Sequence, residues 1–272
     1  VAHNILTLGG IPLPIGVIGN DYNGKVLRSL MAELKINDSF IIVDKERPTT
    51  TKTRVIAHNQ HVVRIDKEDL TPINSKIENK IIDVLKKNIK NIDAIILEDY
   101  NKGVLTSRLI EEIINLANES KKIITVDPKF NNFFSYKNVT VFKPNRKETE
   151  DVLGIKIKTP KDVTNAGNTL MEKLKAKYVL LTLGEEGVAL FENGKSERKI
   201  PTKARKVADV SGAGDTVIST LTIALAAGAD IYDAAYLANF AGGLVCEEVG
   251  IVPISIDKLF NEVIEELKVW TE

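Results

Sequence analysis

The residue types best suited to chemistry stand at 209–215, which read Asp-Val-Ser-Gly-Ala-Gly-Asp and run directly into the apolar stretch 216–221. Two glycines inside a helix cost about 1 kcal/mol each relative to alanine. They are tolerated where backbone must approach a ligand closely. A helix amino terminus presents unpaired N–H groups and partial positive charge, an arrangement that suits a phosphate. Gly212, Ala213 and Gly214 would then form an anion hole, with Asp215 in the first turn placed to take a proton. The plainer alternative is a glycine-rich cap with Asp215 complementing the helix dipole.

Other chemistry-bearing residues read more plainly. Asn145 is a good N-cap, and Glu148 three positions later completes a capping-box pattern. Residues 19–25 satisfy G-x-x-x-x-G-K, but Val26 stands where a phosphate-binding loop needs a hydroxyl for its cation, so a polar turn opening a surface helix is expected. His3, His58 and His61 do not make a metal site. Cys246 lies on an apolar helix face and is assigned to the core.

These residues need a frame, and the hydrophobic pattern supplies one. Short apolar runs at 92–97, 122–126, 139–142 and 178–183 alternate with helical spacing at 106–120, 146–153 and 160–175. That alternation predicts βαβ units and a parallel sheet. Residues 50–66 instead alternate about a turn at His58-Asn59-Gln60, which predicts an antiparallel hairpin standing off the main sheet as a lid or interface. Two further strands are expected within 187–204, turning at Asn193-Gly194. Helices follow at 214–227, 232–248 and 255–268. Ile73, Ile77, Ile81, Leu85 and Ile89 form an i, i+4 stripe for core packing.

Composition narrows the class. In 272 residues, 37 Lys+Arg balance 37 Asp+Glu, which argues against a polyanion-coating role on nucleic acid or membrane. A single cysteine excludes an internal disulfide framework, and cytoplasm is the default compartment. No apolar run approaches the roughly 18 residues of a membrane span. The chain opens at Val1 without an initiator methionine and reads as the middle of a helix, as a fragment would.

Residues 209–215 resemble the carboxyl-terminal signature of the ribokinase-like, or PfkB-type, carbohydrate kinases, and the resemblance extends along the chain. Residues 143–148 (Lys-Pro-Asn-Arg-Lys-Glu) resemble the family's N-x-x-E motif, and 182–187 (Thr-Leu-Gly-Glu-Glu-Gly) resemble its nucleotide-binding turn. Residues 239–243, on towards Gly250, resemble the helix that flanks the adenine. The wording of 49–66, 98–103, 126–129 and 246–253 is similar to the branch of the family that acts on heptose 7-phosphate.

The resemblance implies a three-layer α/β/α fold with a mostly parallel central sheet and a small antiparallel lid sheet, as one kinase domain over 1–272. It also implies further amino-terminal strands with a Gly-Gly sugar motif ahead of Val1, and a nucleotidyltransferase domain fused in the full-length protein. ATP and Mg²⁺ are implied, the metal held through Asn145 and Glu148, and K⁺ beside Asp209 and Ser211 as in several relatives. Nucleotide contacts are implied for Asn145, Arg146, Lys147, Glu148, Thr182, Gly184, Gly187, Asn239 and Gly242. The implied reaction moves the γ-phosphoryl group of ATP to the C1 hydroxyl of heptose 7-phosphate, for lipopolysaccharide-core precursors, with Asp215 accepting the proton. Lys52, Arg54, Lys102 and Lys129 are candidates for the sugar phosphate, and Asp99, Asn101 and Asp127, at strand carboxyl ends, for its hydroxyls. The hairpin is expected to pair two subunits in a homodimer. The alternatives are another sugar kinase of the family, acting on ribose, fructose or a fructose phosphate, and a non-catalytic nucleotide- or sugar-binding protein.

Overall fold

The computed structural model describes residues 1–57, 60–202 and 208–269. In chain order the elements are α1 (Ala2–Thr7), β1 (Gly16–Gly19), α2 (Tyr22–Glu33), β2 (Ile41–Asp44), β3 (Thr51–Ala57), β4 (Gln60–Lys67), α3 (Ser75–Asn88) and β5 (Ala94–Glu98). They continue with α4 (Ser107–Glu119), β6 (Ile123–Asp127), β7 (Val141–Phe142), α5 (Arg146–Leu153), α6 (Pro160–Leu174), β8 (Tyr178–Thr182), β9 (Val188–Glu192) and β10 (Arg198–Ile200). Helices α7 (Ala213–Ala226), α8 (Ile231–Cys246) and α9 (Ile256–Val269) close the chain.

Alternation along the strands decides the layering. Val179, Leu181, Ala189 and Phe191 face a core built with α3, α4 and α6, while Leu180, Val188 and Leu190 face a second core built with α7 and α8. A sheet apolar on both faces must be covered on both, so three layers follow. The strands run in the order β10-β9-β8-β7-β6-β5, parallel from β5 to β8 and antiparallel at β9 and β10. Inside this frame the Thr125 and Thr222 hydroxyls pair with one another at 2.7 Å.

Helix boundaries follow their capping chemistry. The Thr106 hydroxyl accepts from Leu109 N–H at the start of α4, and Asn145 and Glu148 close a reciprocal capping box on α5. Gly154 ends α5 in the left-handed region at φ +66°. The isoleucine stripe of α3 and the loop before it is buried throughout.

The lid hairpin forms as the antiparallel pair β3–β4, with Val55 opposite Val63 and Thr53 opposite Ile65. His58 and Asn59 of its expected turn, and residues 203–207 after β10, lie outside the described residues. An unexpected feature is a separate two-stranded parallel sheet, β1–β2, whose Val17 and Ile42 pack on the larger core.

The P-loop-like stretch is a packing device. Asp21 caps α2 through Gly24 N–H and also binds the Thr49 hydroxyl and N–H. A Cβ at Gly19 would lie 2.6 Å from the Arg47 carbonyl oxygen. Cys246 departs from the core assignment: it ends α8 half-buried, and its carbonyl accepts from the N–H groups of Ala208 and Asp209.

Candidate active site

The carboxyl ends of β5, β6 and β7 deliver Glu98, Asp127 and Lys143 to one place, facing the amino terminus of α7. Gly212 precedes α7 at φ +83°, and no side chain caps the helix. Its first-turn N–H groups are therefore available to an anion, although Ala213 N–H also makes a 3.3 Å bond to the Val210 carbonyl. A Cβ at Gly214 would sit 3.6 Å from the Lys143 ammonium and 3.7 Å from Asp127 Oδ2, so this glycine keeps the floor of the site open.

Carboxylate oxygens of Glu98, Asp127 and Asp215 all lie within 4.8 Å of one another. Asp215 is one-third exposed, and its Oδ2 is 3.5 Å from the Tyr100 hydroxyl. Beneath it, the Ser219 hydroxyl donates to the Asp215 carbonyl. Asn4 pins α1 beside this turn by donating to Thr216 Oγ1 and accepting from Ile254 N–H.

Lys143 and Asp127 form a buried ion pair at 2.9 Å, and Lys129 approaches Asp127 at 3.8 Å. Burial acts first on Glu98, and the charges of Asp127 and Asp215 add to it, pushing its carboxyl up to about 8. The Tyr100 phenol is raised far above its usual range, by burial first and then by Glu98 and Asp215.

The two expected nucleotide motifs meet physically. Thr182 N–H donates to the Pro144 carbonyl, so Asn145 lies beside Thr182. Gly187 adopts φ +88°, and a Cβ there would strike the Ile200 carbonyl at 2.1 Å, which fixes glycine at this turn. Gly184, at φ +68°, opens the same turn into free space. Asn239 on α8 donates to the Pro201 carbonyl, and Gly242 lets α8 approach Val217 of α7. Arg146 pairs with Glu186, tying the motifs together, whereas Lys147 is exposed and pairs with Asp151 on its own helix.

Lys129 lies between Glu148 and Asp127, showing that these carboxylates form a seat for positive charge. Glu148 Oε2 is held by the cap N–H of Asn145, while Oε1 meets Lys129. An oxygen-only seat of this kind fits a hydrated divalent cation. Asp209 accepts from Ser211 N–H and Gly250 N–H, which lower its pKa, Ser211 first, and staple the glycine-rich segment to the loop after α8.

The remaining predicted sugar contacts separate. Lys52 and Lys102 converge on Glu68, while Arg54 is exposed on the hairpin. Asp99 turns inward, accepting from the Tyr136 hydroxyl at 2.7 Å and from Asn101 N–H. Asn101 keeps Oδ1 buried without a hydrogen-bond partner. Sequence reasoning missed Glu98, Tyr100 and Lys143 as site residues; their one signal was a charged or polar residue ending an apolar strand run.

A glycine-rich helix start aimed at a carboxylate cluster, on a three-layer parallel sheet, defines a phosphoryl-transfer class of site. Residues 1–258 match the pfkB family carbohydrate kinase pattern, and the chain belongs to that family. Its relatives include the bifunctional protein HldE of Aliarcobacter butzleri, 40% identical over 261 residues, covering 96% of this chain and 54% of the relative. HldE of Helicobacter hepaticus is 40% identical over 250 residues, covering 92% and 52%. The chain thus spans about half the length of these curated relatives. Among solved structures, Arabidopsis thaliana ribokinase complexed with ribose and ATP superposes with a TM-score of 0.77 at 16% identity, covering 96% of this chain and 84% of that one. Escherichia coli phosphofructokinase-2 in complex with potassium gives 0.77 at 19% identity, covering 96% and 84%. Both establish the ribokinase-like fold.

Proposed function

We propose that the protein transfers the γ-phosphoryl group of ATP to the C1 hydroxyl of D-glycero-β-D-manno-heptose 7-phosphate, giving the 1,7-bisphosphate and ADP. The observation that carries this reading is the placement of Asp215 in the first turn of α7, after an uncapped glycine-rich start and opposite the Lys143–Asp127 pair. The heptose specificity is supported by the likeness to HldE proteins at 40% identity.

Asp215 takes the proton as the sugar O–H bond breaks and the new O–P bond forms. The bond from the γ-phosphorus to the bridging oxygen breaks, and ADP leaves with that electron pair. The first-turn N–H groups of α7 receive the migrating phosphoryl, and Lys143 supplies a fixed positive charge beside them. Asn145 and Glu148 would hold magnesium, which when bound supplies counter-charge to the ATP phosphate oxygens. Asp209 and Ser211 would hold K⁺ at the loop that Asp209 organises. The turn 182–187, with Asn239 and Gly242, would receive the nucleotide. Lys52 and Lys102, which both pair with Glu68, would meet the sugar phosphate, and Asn101 Oδ1 would accept from a hydroxyl.

Val55, Val63 and Ile65 are exposed on one face of the hairpin. That face supports a homodimer, which light scattering after size exclusion would register as twice the chain mass. No helix among the described residues is long and apolar enough to cross a membrane. The reading places the enzyme with its nucleotide in the cytoplasm and, from the length of its relatives, beside a fused nucleotidyltransferase domain.

A substrate panel tests the specificity. ADP release should favour heptose 7-phosphate over ribose and fructose by about a hundredfold in kcat/KM, the scale that an ion-paired substrate phosphate confers, and should also favour it over fructose 6-phosphate. A preference for ribose or fructose 6-phosphate would contradict it.

A further inference from the structure

Tyr100 follows the last residue but one of the β5 end and stands open to solvent, 53% exposed, with its hydroxyl 3.5 Å from Asp215 Oδ2. The backbone on both sides of it is pinned. Asp99 is buried, accepts from the Tyr136 hydroxyl and from Asn101 N–H, and donates its own N–H to the Asp127 carbonyl. Asn101 stands in the left-handed region at φ +54°. Gly103 follows at φ +73°, where a Cβ would lie 1.9 Å from the Thr71 carbonyl oxygen, and its own carbonyl accepts from Ile73 N–H. Backbone of this kind persists only where the surroundings over-determine it, and it gathers at ligand sites.

Two relationships put the ring on the acceptor side of Asp215. β5 ends the six-stranded sheet, with β6 and β7 between it and β8. At the usual strand spacing that sets its end about 14 Å from the nucleotide turn after β8. On the other side, Lys102 of the same loop pairs with Glu68, as Lys52 does. A sugar with its C1 hydroxyl at Asp215 and its phosphate at Lys102 lies along Tyr100. Between these two residues in the chain stands Asn101, whose buried Oδ1 has no hydrogen-bond partner among the described residues.

We propose that Tyr100 is the specificity-determining platform for the acceptor: its ring packs against the C–H face of the sugar, and its hydroxyl donates to Asp215 Oδ2, which leaves the other carboxylate oxygen for the C1 hydroxyl. The inference rests on the kinase reading, because it needs the acceptor at Asp215. A sugar ring carries C–H groups on its faces and hydroxyls around its edge. A flat ring with a polar tip matches that division. The platform therefore governs acceptor binding and leaves nucleotide binding alone.

The test measures dissociation constants of heptose 7-phosphate and of magnesium-ATP by calorimetry, together with kcat and KM, for the unmodified protein, Tyr100→Phe and Tyr100→Ala. Tyr100→Ala should weaken heptose 7-phosphate about tenfold, the scale of one aromatic face lost to apolar contact, with magnesium-ATP affinity unchanged. Tyr100→Phe keeps the ring, so sugar affinity should return to the unmodified value while kcat falls about threefold to tenfold through the missing hydroxyl. Unchanged sugar affinity in Tyr100→Ala would overturn the platform. So would a loss that falls on ATP instead, or one that Tyr100→Phe does not rescue. An unchanged kcat in Tyr100→Phe would overturn the part given to the hydroxyl. A panel that selects another sugar changes the probe and not the test. Failure of the unmodified protein to phosphorylate any sugar of the panel would remove the kinase reading and the platform with it, whereas equal sugar affinity in an active protein and its alanine variant removes the platform alone.

Discussion

The Lys143 ammonium lies 2.9 Å from Asp127 Oδ2, and both side chains are more than nine-tenths buried directly beneath the amino terminus of α7. A buried pair with this geometry holds a lysine charge where a phosphoryl group would arrive. Breaking one side of such a pair is costly because the other charge is left in the interior.

Lys143→Met should therefore lower stability by about 3 to 5 kcal/mol, read from urea unfolding. Asp127→Asn combined with Lys143→Met should restore roughly half of that loss, since neither charge is then orphaned. With Asp127→Asn also measured alone, a loss in the double variant equal to the sum of the two single losses would show that the pair carries no coupling.

Two glycines of one turn separate strain from space. Gly187→Ala should cost about 2 kcal/mol or more, because its backbone is in a glycine-only region and the Cβ meets the Ile200 carbonyl. Gly184→Ala, with open space around it, should cost about 1 kcal/mol. Thermal melts of the two variants rank them, and equal costs would contradict the close packing against residues 200–202.

Glu98 also sets a pH dependence of stability. Its carboxyl is raised from 4.5 to about 8, so the folded state holds this proton more tightly than the unfolded chain. The stabilisation is fully present below pH 4.5 and is lost as pH rises to about 8. Glu98→Gln should gain a few kcal/mol relative to the unmodified protein between those limits, reaching its full advantage above pH 8. Unfolding free energies that stay parallel from pH 5 to about 9 would exclude the effect.

The Asn145–Glu148 box joins local structure to the proposed metal seat. Asn145→Ala should cost about 1 kcal/mol through the lost cap. Glu148→Gln should raise the magnesium needed for half-maximal turnover by about tenfold, the scale of a removed ion-ligand charge. An unchanged magnesium requirement would place the cation elsewhere.

The strands β5 to β8, their parallel βαβ alternation and the capping of α4 and α5 were legible, because each rests on local periodicity or on a polar residue at a fixed offset; the three layers came from the family resemblance. The glycine-rich start of α7 was legible for the same reason. Glu98 and Lys143 were not. Each ends a short apolar run on its own strand, and only the parallel register of β5 with β6, and β7 beside them, brings their charges together. Asp99 was read by its place at a strand end, but its side chain folds back to Tyr136, a contact 37 residues away that spacing does not reveal. Cys246 ends an apolar helix whose Leu244 and Val245 are core residues, yet its carbonyl meets the 208–209 backbone and its side chain is only half-buried.

The central claim is that Asp215 is the base for phosphoryl transfer, and Asp215→Asn tests it most directly. The measurement is ADP release with saturating ATP, magnesium and heptose 7-phosphate, beside ATP affinity and a thermal melt of the same sample. Turnover should fall by about a hundredfold or more, the scale of a lost general base, while ATP affinity and melting stay close to those of the unmodified protein. Turnover within a few-fold of the unmodified protein would contradict the assignment.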